Sequence, residues 1–436
     1  MTNSLIMKRV RTTLGSYLPF FFHMDISFPF PSGLSPLGKL DEKFLSVYIH
    51  EYIHFLQDIT TYSGLNNGYV YSEYIHGVVT HIYENGQQTV GVPYNLPDNY
   101  FNVKLNRFMN DAAFGNDEER DILIIKDIRK KTSRIPISNP YLTHYTRVLI
   151  DTIPATNGPL EFGRLAIMES MAYMIEKKVT IGSPSAPDYP YRSASLVADK
   201  IYPGFPDKEE NVLALCDMSL QFSEPGKVFV SVLEQYKKDG YMPTRAEDII
   251  DYFYSKPCDS LFGQKSLSDS YLAFSFQVGQ RLKTYLNHPQ FKAFHEAIHK
   301  LIGFGMNVRY YDRYYFLNMY RAGYALDNPI LKQTNRKVGT PVIVDSNYDY
   351  WVVYPWGCTS TNYEIEYFAA IEEIFKLFDK GSTACDMYQW CSKSKQTSED
   401  DRCIFEPWTR TSDKYLCPYA MLLRHWKLSG LSFIEK

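Results

Sequence analysis

Residues 47–58 read VYIHEYIHFLQD, and this run limits the architecture of the chain more than any other. On a helix each residue steps about 100° around the axis. Tyr48, Ile49, Tyr52, Ile53, Phe55, Leu56 and Ile59 then fill one broad arc. His50, Glu51, His54, Gln57 and Asp58 fill the opposite arc, with only Val47 among them. A stripe facing solvent would normally carry Lys or Arg, and this one has none. The helix is therefore expected to be enclosed, with its polar stripe turned inward to line a site.

The surrounding chain can supply such an enclosure. It has 436 residues, more than one core usually covers, so two or three structural units are expected. Hydrophobic residues make up 45% and aromatics 16%, enough for a large core in which many Tyr hydroxyls need partners. The expected fold class is α+β and mainly helical. Residues 1–185 read as a catalytic region, 186–335 as a helical region, and 336–436 as a C-terminal region that holds a group of cysteines. Strands and turns are expected up to about residue 40, and a helix from Asp41 to Thr61, ended by the turn-forming Gly64, Asn66, Asn67 and Gly68. A second strong helix is expected from Pro159 to Lys178, and Asn328 to Asp345 reads as a looser segment with a short strand at Val342–Val344.

His50 and His54 are four residues apart, so on one helix their imidazoles point the same way, one turn apart. Both can then bind a single metal ion. Glu51 is rotated by about 100°, within reach of a water beside the metal without ligating it. This arrangement, with uncharged flanks from Val47 to Leu56, resembles the HExxH zinc metallopeptidases called zincins. The resemblance covers this helix and a second one. It implies a zincin-like catalytic unit, one catalytic Zn2+, and a peptidase in which Glu51 is the general base.

A catalytic zinc usually has three protein ligands. The continuation with Gly three and His six residues after the second His is absent, because Gln57 and Thr60 stand there. A Glu from a later helix is the other common solution, the gluzincin pattern. Glu169, in LAIMESMAYMIEKK, is the expected third ligand. Ala166 and Ala172 lie on its side of the helix, so another helix can approach closely. Glu176, seven residues on, is placed to accept the free N–H of a ligand His. Glu73 is the rival ligand, 18 residues intervening after His54, although its YVYSEYIHGV context could equally be a strand.

A second copy, His295-Glu296-Ala297-Ile298-His299, reads as structural, because Lys292 and Lys300 crowd its two His. Cys385, Cys391, Cys403 and Cys417 cluster near the end of the chain and are a weak candidate for a second, structural metal, since no C-x-x-C pair is present. Tyr310, Tyr311, His144 and Arg309 are the candidates for stabilising an oxyanion. The net charge of −3 argues against a nucleic-acid partner, and no apolar run is long enough to span a bilayer. No secretory signal is read at the start, and seven Cys is an odd count, so a cytoplasmic location is expected. The expected partner is a protein or peptide substrate, and a peptidase of this kind needs a restraint, whether a narrow site, a regulatory partner or a rare substrate. Two alternatives stand beside the peptidase: a zinc hydrolase acting on another bond, and a zincin-like scaffold that binds without turnover.

Overall fold

The computed structural model describes residues 10–11, 14–31, 37–137, 144–153, 158–260, 263–394 and 400–436. The protein is α+β and mainly helical, with 56% helix against 12% strand. Three short strands come first, Val10–Arg11 (β1), Gly15–Leu18 (β2) and His23–Ile26 (β3). The helices Glu42–Thr60 (α1) and Tyr62–Glu84 (α2) follow, then Thr89–Val92 (β4) and Phe101–Phe114 (α3). A hairpin of Ile125–Arg134 (β5) and His144–Thr152 (β6) leads through Leu160–Glu161 (β7) to the helix Arg164–Val179 (α4).

A helical stretch comes next: Ser193–Ile201 (α5), Glu209–Ser219 (α6), Pro225–Asp239 (α7) and Ala246–Ser255 (α8). The short pair Cys258–Ser260 (β8) and Gly263–Lys265 (β9) precedes Leu267–Tyr285 (α9), Lys292–Tyr311 (α10), Tyr315–Arg321 (α11) and Pro329–Val338 (α12). The chain closes with Val342–Val344 (β10), Tyr350–Trp351 (β11), Tyr367–Lys380 (α13), Tyr388–Ser394 (α14), Arg402–Phe405 (α15), Pro418–His425 (α16) and Ser432–Glu435 (β12). No helix among the described residues is long and apolar enough to cross a membrane.

The main sheet runs in the order β1-β2-β3-β10-β11. All its pairs are antiparallel except β3 with β10, where Val342, Ile343 and Val344 lie beside His23, Met24 and Asp25. The sheet thus takes strands from both ends of the chain. Alternate residues point to opposite faces. Gly15 and Tyr17 face α1, where the Tyr17 hydroxyl donates to Asp58 at 2.9 Å. His23 faces α13, and its Nδ1 lies 2.7 Å from a Glu372 oxygen. α1 packs against this sheet, α2, α4 and α10, and every residue from Leu45 to Thr60 is buried. The enclosure expected from its unbroken polar stripe is therefore present.

Three expectations need correction. Gly64 to Gly68 do not form a turn; Thr61 ends α1, and α2 runs straight through them. Thr61 serves both helices, donating to the Gln57 carbonyl at 2.7 Å while accepting from the Gly64 amide at 3.0 Å. The small residues are there for contact: a Cβ on Gly68 would stand 2.0 Å from the Phe20 ring. The second helix begins at Arg164 rather than Pro159, because Leu160 and Glu161 pair with β6 and Gly163 takes the capping position. The looser segment Asn328–Asp345 contains α12, started by the Asn328 side chain accepting from the amides of Ile330 and Leu331.

Candidate metal centre

α1 and α4 pack face to face, and their contact brings His50, His54 and Glu169 together. His50 Nε2 lies 2.8 Å from Glu169 Oε2 and 3.1 Å from His54 Nε2, and His54 Nε2 lies 3.5 Å from the same carboxylate oxygen. The three side chains are 0–1% exposed. Among the described residues they are the one group of three or more His, Cys, Asp or Glu whose ligand atoms converge tightly enough for a metal ion.

The outer hydrogen bonds decide which way the imidazoles present themselves. His50 Nδ1 lies 2.9 Å from Glu176 Oε2, and a carboxylate oxygen accepts, so the proton is on Nδ1. The Ser46 hydroxyl donates to the other Glu176 oxygen. His54 Nδ1 lies 2.7 Å from Gln57 Oε1, and the Gln57 amide is oriented by donating through Nε2 to the Met168 carbonyl at 3.1 Å. Neutral His50 and His54 therefore both carry their proton on Nδ1 and turn a lone pair on Nε2 toward the Glu169 carboxylate. Three lone pairs aimed at one point repel unless a cation lies among them. Two imidazoles and one carboxylate so arranged could hold a metal ion.

Burial opposes charge on the His50 ring, yet hydrogen bonds to Glu169 and Glu176 hold it well above its ordinary value. Burial dominates at His54 and lowers it. Burial pushes Glu169 up, but hydrogen bonds with His50 and His54 outweigh this and keep it below the ordinary carboxylate range.

Glu51 follows His50 on α1 and is fully buried. β2 runs directly over it: a Cβ on Gly15 would stand 2.9 Å from Glu51 Oε1 and 2.8 Å from Val47 Cγ1. Only glycine lets the strand come this close.

The structure separates the other candidates. Glu73 is on a helix, not a strand, and is taken up elsewhere: it accepts from Asn106 at 2.7 Å and Arg281 at 3.2 Å. Of the second HExxH copy, Glu296 and His299 are exposed, and the trio does not converge. The four oxyanion candidates lie elsewhere. Tyr310, Tyr311 and His144 are exposed whereas the centre is buried, and Arg309 is committed to a two-pronged pair with Asp217 at 2.6 and 3.0 Å. Tyr191, unmarked in the sequence, packs its ring 5.8 Å from that of His50. Burial, reinforced by the nearby Glu169 and other carboxylates, holds its hydroxyl in the protonated form. No sequence pattern marks it, since it reaches the centre through the fold alone. In comparisons with known proteins, no family model, curated protein or solved structure matches the chain, so its functional reading rests on this geometry.

Proposed function

We propose that the protein is a zinc-dependent hydrolase, and specifically a peptidase. The observation that carries this reading is the convergence of His50 Nε2, His54 Nε2 and Glu169 Oε2, with both imidazoles turned toward the carboxylate by Glu176 and Gln57. A bound zinc would supply Lewis acidity, polarising a carbonyl and acidifying water. Glu51 accepts the proton of the attacking water on its carboxylate and returns it to the leaving amine. Tyr191, whose ring packs against that of His50, is our candidate for stabilising an oxyanion. Free buried thiols such as Cys216 suit a reducing compartment, and we assign the activity to the cytoplasm.

The complete burial of His50, Glu51, His54 and Glu169 favours a second reading, in which a closed metal centre ties α1 to α4 and the protein acts by binding. One experiment separates the two. Zinc content and hydrolysis of a peptide library are measured for the wild type, His50→Ala and Glu51→Gln. The hydrolase reading expects zinc lost in His50→Ala. It expects zinc kept in Glu51→Gln, with turnover lowered ~10²–10⁴-fold. Zinc bound without any hydrolysis, or hydrolysis untouched in Glu51→Gln, would refute it.

A further inference from the structure

Beyond α13 the described residues form only short elements. α14 has 7 residues, α15 has 4 and α16 has 8. The buried residues of this stretch, Trp408, Tyr419, Leu422 and Phe433 among them, join the main core, and a cross-link would fix how such short elements sit on it. Four cysteines stand at its joints. Cys385 follows α13, Cys391 lies in α14, Cys403 in α15, and Cys417 caps α16. They are 5–8% exposed, and all four line one small cavity together with Arg410 and Tyr419. None of them is in a disulfide.

Hydrogen-bond donors are already turned toward two of the sulfurs. Arg410 Nη1 donates to Cys403 Sγ at 3.3 Å, and the Ala420 amide donates to Cys417 Sγ at 3.5 Å at the start of α16. Burial pushes the Cys385 and Cys417 thiols up, so without a cation they stay protonated; the Ala420 amide and Arg410 work against that burial at Cys417, and a bound cation would complete the shift to thiolate, the form that soft metals bind. The Cys385 amide also donates to the Cys403 carbonyl at 2.8 Å, which draws the first and third joints together.

We propose that Cys385, Cys391, Cys403 and Cys417 ligate a tetrathiolate metal centre that staples the C-terminal unit, separate from the centre between α1 and α4. Each thiol gives its proton to solvent as it binds, and no electron is exchanged. Two occupants share this chemistry. A single zinc needs every sulfur about 2.3 Å from one point, whereas an iron–sulfur cluster is held by four thiolates spread more widely. Only His50, His54 and Glu169 among the described residues converge tightly enough for a single ion, so the thiols would close in to hold zinc and need move less for a cluster.

The test uses full-length protein purified without oxygen and carrying His50→Ala and His54→Ala, so that metal at the first centre does not count. Zinc, iron and acid-labile sulfide are measured, with the visible spectrum. The proposal expects metal to remain in this variant and to disappear when Cys403→Ser or Cys417→Ser is added. Zinc alone identifies a mononuclear centre. Iron with sulfide and a broad visible band bleached by dithionite identify a cluster. If the cysteine variants do not fold, thiol labelling of the folded wild type decides: the four cysteines should resist a thiol reagent until the metal is stripped. Absence of both metals, metal content unchanged by the cysteine variants, or a disulfide among the four in mass spectra would overturn the proposal.

Discussion

Replacing Glu176 by alanine removes the acceptor that orients His50. The ring then loses its Nδ1 partner at 2.9 Å, and the Ser46 hydroxyl loses its acceptor as well. Loss of such an outer partner typically weakens metal binding roughly 10–100-fold, about 1.4–2.7 kcal/mol. Glu176 is 5% exposed and Ser46 fully buried, so little bulk water can take the carboxylate's place, and the upper part of that range is expected. Glu176→Gln keeps an acceptor oxygen but removes the charge, and should fall between wild type and alanine. The assay is zinc competition against a fluorescent chelator, with circular dichroism to verify the fold. Glu73→Gln is the comparison, since Glu73 pairs with Asn106 and Arg281 and should leave zinc affinity unchanged. A folded Glu176→Ala protein with wild-type zinc affinity would refute the claim that His50 is oriented through Nδ1.

Gly15→Ala should displace Glu51 and lower turnover while leaving zinc content unchanged, because the new Cβ would stand 2.9 Å from the Glu51 carboxylate; unaltered kcat would show that β2 does not position this group. Stability should fall in alkali. Burial opposes charge on His23, yet Glu372 and Asp25 raise its pKa to about 10 from 6.5. A folded value above the unfolded one means that the stabilisation is full below pH 6.5 and is lost as the pH rises through about 10. Tm measured across that window should fall less steeply in His23→Gln, and equal slopes would contradict the assignment. Arg309→Met should cost about 3–5 kcal/mol in denaturant unfolding by leaving Asp217 buried without its counter-charge, with zinc binding retained; a loss below about 1 kcal/mol would be inconsistent with so buried a pair.

The legible parts of this molecule are those written in local spacing. His50, Glu51 and His54 share one helix, and a polar stripe without Lys or Arg announces that the helix is enclosed. Glu169 and Glu176 were legible for a similar reason: a carboxylate on an otherwise apolar helix needs a partner, and seven residues return to the same face. The missed features depend on distant chain. Gly68 reads as a turn former until Phe20 is seen against it. Leu160 reads as the start of a helix until β6 is seen to pair with it. Tyr191 meets His50 only because α1 and α4 already lie together, and the Arg309–Asp217 pair joins residues 92 positions apart.

The parallel pairing of β3 with β10 has a consequence for the order in which the protein is made. His50, His54 and Glu169 have all left the ribosome once Glu169 has, whereas β10, which pairs with β3 in the sheet that covers α1, ends at Val344, some 175 residues later. At 5–20 residues per second, that interval is roughly 9–35 s, far longer than helices need to form and collide. α1 and α4 can thus meet, and take up an ion, while the nascent chain is still open on that side. A centre with no exposed ligand in the finished fold need not be filled through the finished fold. If the proposed zinc enters at that stage, zinc supplied during translation should load far faster than zinc added to the completed protein.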